Sequence, residues 1–140
     1  KQSYYQACWN HSWYLVLARQ FPAAKAVAEE GLKVDIEDTR RYGIVTNEAL
    51  AKLFTEDMKS VRNFYNEWAN RPWVDYRHAT FRGAFLEDLN FLKDLYEKKK
   101  IWQDRSDYEL VKRMIGFLDM IEDEKCVLFL GPCFGLKNTG

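Results

Sequence analysis

The sequence predicts an all-α fold, a bundle of four to five helices in one domain over residues 1–140. Three observations carry this. Leu50, Phe54, Met58, Val61, Tyr65 and Trp68 recur at steps of three and four, the period of an amphipathic helix over Thr46–Trp68. The same spacing returns in residues 4–41, 83–98 and 106–121. The link Ile44-Val45 between the first two long segments is short enough to make them antiparallel neighbours.

Each element then has its own signals. Residues 4–41 read as one long helical stretch. Its first stripe is Tyr5, Trp9, Trp13, Val16 and Leu17, and Pro22 forces a kink or break between Ala18 and Pro22. Spacing resumes through Ala24, Val27, Gly31 and Val34. Arg40 and Arg41 complement the helix dipole, and Gly43 reads as the stop. Thr46 is placed to N-cap the central helix, whose Lys52, Glu56, Lys59, Asn63 and Glu67 face water. Arg71-Pro72 ends or kinks that helix. A third long helix runs from about Gly83 to Lys98 on Phe85, Leu89, Leu92 and Tyr96. Ser106 with Glu109 has the S-x-x-E form of a capping box, opening a helix through Leu110, Met114, Phe117, Leu118 and Ile121 that ends in the acidic run 122–124. Cys126–Leu130 has β character without a strand to pair with, so residues 126–140 are expected as an extended tail across the bundle. Phe54, Met58, Val61, Phe85, Leu89, Leu92, Met114 and Leu118 form the expected core.

Composition narrows function. Lys plus Arg equals Asp plus Glu at 21 each, so the chain has no general attraction for nucleic acid. No apolar run approaches the roughly 18 residues of a membrane span. No signal peptide is recognisable, and the expectation is either a cytosolic chain or a mature secreted one. Aromatic residues make up 16 %, with five Trp, eight Tyr and nine Phe. That exceeds what a small core holds, so some rings should reach the surface, as at a partner or membrane site.

No enzyme signature stands up. Gly131, Gly135 and Lys137 fail the phosphate-loop pattern at Leu136 and Asn138. Arg71 and His78 have the spacing of some helical ribonucleases but straddle a proline. His11 has only Cys8 as a possible second metal ligand. No metal, cofactor or catalytic site is therefore assigned. Clustered cations beside rings remain: Arg40 and Arg41 with Tyr42, and Lys98, Lys99 and Lys100 with Trp102. That mixture suits an anionic lipid surface or a negatively charged partner. The rings of the N-terminus, Tyr4, Tyr5, Trp9, Trp13 and Tyr14, cannot all be buried by one helix, so part of this face should point outward.

The order of motifs resembles the abalone sperm lysin family. Tyr42-Gly43-Ile44-Val45-Thr46 matches the glycine turn that starts its long second helix. Glu67-Trp68-Ala69-Asn70 with Trp73 resembles the end of that helix. Asn90-Phe91-Leu92-Lys93-Asp94 matches a string in its third. The similarity covers roughly Trp9 to Met120. The resemblance implies a helical bundle and a non-enzymatic, secreted protein of the sperm acrosomal vesicle, released at the acrosome reaction. One branch, lysin, is strongly basic and opens the egg vitelline envelope by binding its glycoprotein without cleavage. Its paralogue is fusagenic. This chain has zero net charge, Pro22 and Pro72 within the long helices, three cysteines and an apolar tail, departures that favour the fusagenic branch. The membrane or partner surface would then comprise Tyr4, Tyr5, Trp9 and Trp13, the two cationic clusters with Trp102, and Val127, Phe129 and Phe134. The partner would be an anionic membrane or an egg-surface glycoprotein. The oligomeric state stays open, a dimer included. In a secretory compartment Cys126 and Cys133 could pair.

Overall fold

A computed structural model describes residues 2–33, 42–73, 77–98 and 104–130. It is all-helical: six helices and no strand occur among the described residues. They are α1 (Gln2–Leu17), α2 (Phe21–Leu32), α3 (Tyr42–Leu53), α4 (Met58–Ala69), α5 (Phe81–Glu97) and α6 (Arg105–Leu130).

The break expected before Pro22 is there, and it has a specific construction. Arg19 adopts a left-handed backbone, φ 61°. Its N–H donates to the Val16 carbonyl at 2.9 Å, and the Gln20 N–H donates to Leu15 at 2.8 Å. This is a Schellman close with arginine where glycine is usual. The left-handed turn swings the Arg19 side chain to the start of α6, where it donates to Asp107 at 2.9 Å and to Asp104 at 2.8 Å. Pro22 lies in the first turn of α2, where its missing N–H costs nothing.

The central helix does not run unbroken from Thr46 to Trp68. Leu53 ends α3, and Asp57 caps α4 by accepting from the Ser60 amide at 2.9 Å and the Ser60 hydroxyl at 3.1 Å. Thr55 bends its hydroxyl back to the Ala51 carbonyl at 2.8 Å. Three short polar side chains within six residues offer the backbone partners outside the helix, and they outweigh the apolar phase. Thr46 accordingly lies inside α3, donating to the Gly43 carbonyl at 2.8 Å, and is not the N-cap. Gly43 belongs to the first turn of α3 and stops nothing; the Trp9 indole occupies the space a Cβ would need.

The fold is organised around α3. Residues 43–51 are all buried, polar Thr46, Asn47 and Glu48 included. A helix buried on every side shows no amphipathic stripe. α2 approaches it through small residues, Ala24, Ala28 and Gly31. A Cβ on Gly31 would lie 2.6 Å from Ile44 Cδ1 and 2.7 Å from Cys8 Cβ. Gly31→Val is therefore expected to destabilise the protein by about 1 to 3 kcal/mol. Gly116→Ala, on an exposed turn of α6 with nothing within 4 Å, should stabilise it by about 0.8 to 1 kcal/mol. Urea unfolding of the two variants measures both.

Of the expected core, Val61, Phe85, Leu89, Leu92, Met114 and Leu118 are buried, and Phe54 and Met58 are partly buried at its edge. α4 ends at Ala69, as Arg71-Pro72 requires. α6 begins behind Asp104, whose carboxylate accepts from the Ser106 amide at 2.9 Å and the Ser106 hydroxyl at 2.6 Å. Asp104, not Ser106, is the cap. The helix continues through 122–124 to Leu130, so the expected extended tail is helical over 126–130. An apolar segment without a strand partner satisfies its own amides as helix. Residues 131–140, the pairing of Cys126 with Cys133, and the Gly131/Gly135/Lys137 motif lie outside the described residues or side chains.

Asp57 carries a pH prediction. The Ser60 amide and hydroxyl hold its carboxylate below its ordinary value. A group depressed in the folded state stabilises above its unfolded pKa and loses that contribution as pH falls through the folded one. Asp57→Ala should lower the melting temperature at pH 7, and the gap to wild type should close below about pH 4. Thermal melts at both pH values check this.

Candidate functional site

Four segments enclose a cleft of about 230 Å³. α1 contributes Trp9 and Trp13, α3 contributes Gly43, Thr46 and Asn47, and α5 contributes Ala84, Glu87 and Asp88. The fourth wall, Trp73 and Arg77, comes from the turn between α4 and α5. That turn is clipped at its base. The Trp73 amide donates to the Ala79 carbonyl at 3.2 Å and the Phe81 amide to Arg71 at 3.0 Å, with a bridge between Pro72 and Thr80.

Each indole is packed against another ring. Trp9 meets Tyr5 at 6.0 Å between centroids, Trp13 meets Phe91 at 5.7 Å, and Trp73 stands edge-on to Phe81 at 4.9 Å. The α1 wall is fixed to α3 by Asn47, whose amide donates to the Trp9 carbonyl at 3.0 Å and to the buried Ser12 hydroxyl at 2.9 Å. Gly43 lets Trp9 lie directly on the α3 backbone.

The floor holds Asp88. Burial, reinforced by the neighbouring Glu87 charge, pushes its carboxyl up to about 7, against the pull of Thr46 and Arg77. Thr46 has one hydroxyl proton, which it also offers to the Gly43 carbonyl. No ion pair among the described residues reaches Asp88. At the mouth, Glu87 takes Arg77 at 3.0 Å and His78 at 2.8 Å. Tyr65, fully buried below, has its phenol pushed further up by burial and by Asp88. Its hydroxyl and the Trp73 ring N–H are buried without a hydrogen-bond partner among the described residues.

The surface residues expected from the sequence divide differently. Tyr5 is 1 % exposed, packed with Cys8, Ala28 and Ile44, so it is core and not surface. It faces α2 and α3, about 100° around α1 from exposed Tyr4. Trp9 and Trp13 are half-buried and line the cleft. Tyr4 is 50 % exposed, Tyr14 66 % and Phe91 45 %. Lys98 is exposed at the end of α5. Arg40, Arg41, Lys99, Lys100, Trp102 and Phe134 lie outside the described residues, as do the side chains of Val127 and Phe129. Arg71 pairs with Glu67 at 3.1 Å and stacks on Trp68, while His78 turns to Glu87, so the two share no partner among the described residues. His11 is exposed, and no cluster of potential metal ligands occurs among the described residues.

Asp88 and Asn47 were not singled out from the sequence, and Trp73 entered only as a landmark of the resemblance and not as a site residue. Asp88 had a readable signal: it stands three after Phe85 and four before Leu92, an acid on the apolar face of α5. No protein-family model, curated protein or solved structure gives a significant match to this chain.

Proposed function

We propose that this chain is a non-enzymatic, secreted acrosomal sperm protein that binds and perturbs membranes, a helical bundle of the lysin kind nearest the fusagenic branch. The observation that supports this reading is the outward stripe of α1. Residues 4, 7, 11 and 14 are all exposed, as is Ala18 just past the end of the helix, and two of them are tyrosines. Phe91 on α5 adds a third exposed ring. A ring with an apolar body and a polar tip suits the headgroup boundary of a bilayer. No described helix is long and apolar enough to cross a membrane, so the contact would be interfacial. With zero net charge, attraction to anionic lipid would rest on the Arg40-Arg41 and Lys98–Lys100 clusters.

Contents leakage and lipid mixing with anionic vesicles test this. Wild-type protein should release contents. The double variant Tyr4→Ser, Tyr14→Ser should do so several-fold more weakly while keeping its helical spectrum, since both rings lie on the surface. Lys98→Glu with Lys99→Glu and Lys100→Glu should weaken binding in a salt-dependent way. Wild-type protein that neither binds nor leaks vesicles would remove the membrane reading and put binding of egg-envelope glycoprotein in front.

A further inference from the structure

We infer that the cleft lined by α1, α3, α5, Trp73 and Arg77 binds a quaternary ammonium group of the choline type, held against Trp9, Trp13 and Trp73 with Asp88 as its counter-charge. The cleft has the chemistry for a cation. Its fixed charges are Asp88, Glu87 and Arg77, and Glu87 is already matched by Arg77 at 3.0 Å. Among the described residues no ion pair reaches Asp88, which has a hydroxyl proton from Thr46 that is also offered to Gly43.

The walls decide which cation. Three indoles, Trp9, Trp13 and Trp73, line the cleft. A quaternary ammonium donates nothing and is attracted by the faces of aromatic rings, tryptophan above all. The volume, about 230 Å³, is below the roughly 300 to 1,000 Å³ of drug-sized sites and suits a single small head group. The Trp73 ring N–H, buried and without a partner among the described residues, asks for an acceptor that an oxygen two carbons from the nitrogen can supply. Choline carries one, whether free or as the head group of a phosphatidylcholine bilayer. Because the ligand charge favours ionised Asp88, binding should release a proton. The other groups facing Asp88 are Glu87 on α5, Arg77 and His78 on the turn, Tyr65 on α4 and the neutral Thr46 and Asn47 on α3; α1 presents only indoles.

The test titrates choline chloride into the full chain, followed by tryptophan fluorescence and calorimetry, with sodium chloride as the matched control. Saturable binding is expected, at least tenfold weaker in Asp88→Asn. Affinity should rise between pH 6 and pH 8 in wild type but not in Asp88→Asn. Trp73→Phe keeps a ring but removes the N–H; it should weaken choline several-fold more than tetramethylammonium, which lacks the oxygen. Phosphatidylcholine vesicles then distinguish the source. Vesicle binding competed by free choline assigns the site to the lipid head group. Choline binding without vesicle binding assigns it to the soluble cation, and leaves the Tyr4/Tyr14 membrane surface to be judged on anionic vesicles alone. Absence of saturable choline binding in wild type, or equal affinity in a folded Asp88→Asn protein, overturns the site.

Discussion

Asp88→Asn will make the protein more stable above pH 7, not less. The carboxyl of Asp88 titrates near 7 in the folded chain against an ordinary value of 3.8. An acid whose folded pKa is raised binds its proton more tightly folded than unfolded. Stability therefore falls as pH rises from about 4 to about 7, and the full cost is present above that window. At about 1.4 kcal/mol per pH unit the cost is on the order of 2 to 4 kcal/mol once the Asn amide's own desolvation is set against it. Urea midpoints should converge for wild type and variant near pH 4 and separate in favour of the variant by pH 8. Equal midpoints at pH 8 would show that Asp88 is compensated there. A carboxylate kept at such cost in the apolar face of a helix fits a group retained for binding.

Phe85→Ala should destabilise the protein by about 3 to 5 kcal/mol. Phe85 is 2 % exposed and joins Tyr65, at 4.7 Å between ring centroids, to Phe81, at 5.8 Å. Phe81 in turn packs on Trp68 at 5.1 Å and Trp73 at 4.9 Å. Loss of one ring opens a cavity at the meeting point of α4, α5 and the turn that carries the cleft wall. The measurement is a drop in the urea midpoint without a change in slope. A loss under about 1 kcal/mol would mean that the neighbouring rings close the gap.

Where the apolar period belonged to a helix half-buried against its neighbours, the sequence was legible. The α5 stripe of Phe85, Leu89 and Leu92 and the α6 stripe of Met114 and Leu118 are such cases, and both are buried. The proline breaks at Pro22 and Pro72 were equally plain, because a missing donor and a steric clash act locally. The central helix misled for an instructive reason. Leu50 to Trp68 keeps perfect phase, yet phase records which side faces the core and not whether the backbone is continuous. Asp57, Ser60 and Thr55 break it through side-chain bonds that periodicity does not see.

The helix that matters most, α3, had the weakest pattern, since burial on all sides removes the contrast that a stripe needs. The cleft was hidden for a different reason. Its three indoles come from residues 9, 13 and 73, and only packing brings them together. Asp88 was visible as an acid at an apolar register, but adjacent Glu87 made the pair look like a solvated face. The aromatic excess was correctly divided in kind between core and surface, though Tyr5 fell to the core and Tyr14 to solvent.

The central claim, a membrane-active surface protein, is tested most directly by flotation of the wild-type chain with vesicles of defined composition. It should rise with anionic vesicles at low salt and progressively less as salt increases, because cationic clusters on a chain of zero net charge are screened over about 10 Å at 0.1 M. A residue of salt-resistant binding should remain from the exposed rings and disappear in the Tyr4→Ser, Tyr14→Ser protein. A wild-type chain that stays at the bottom of the gradient with every composition, at every salt concentration, would contradict the account.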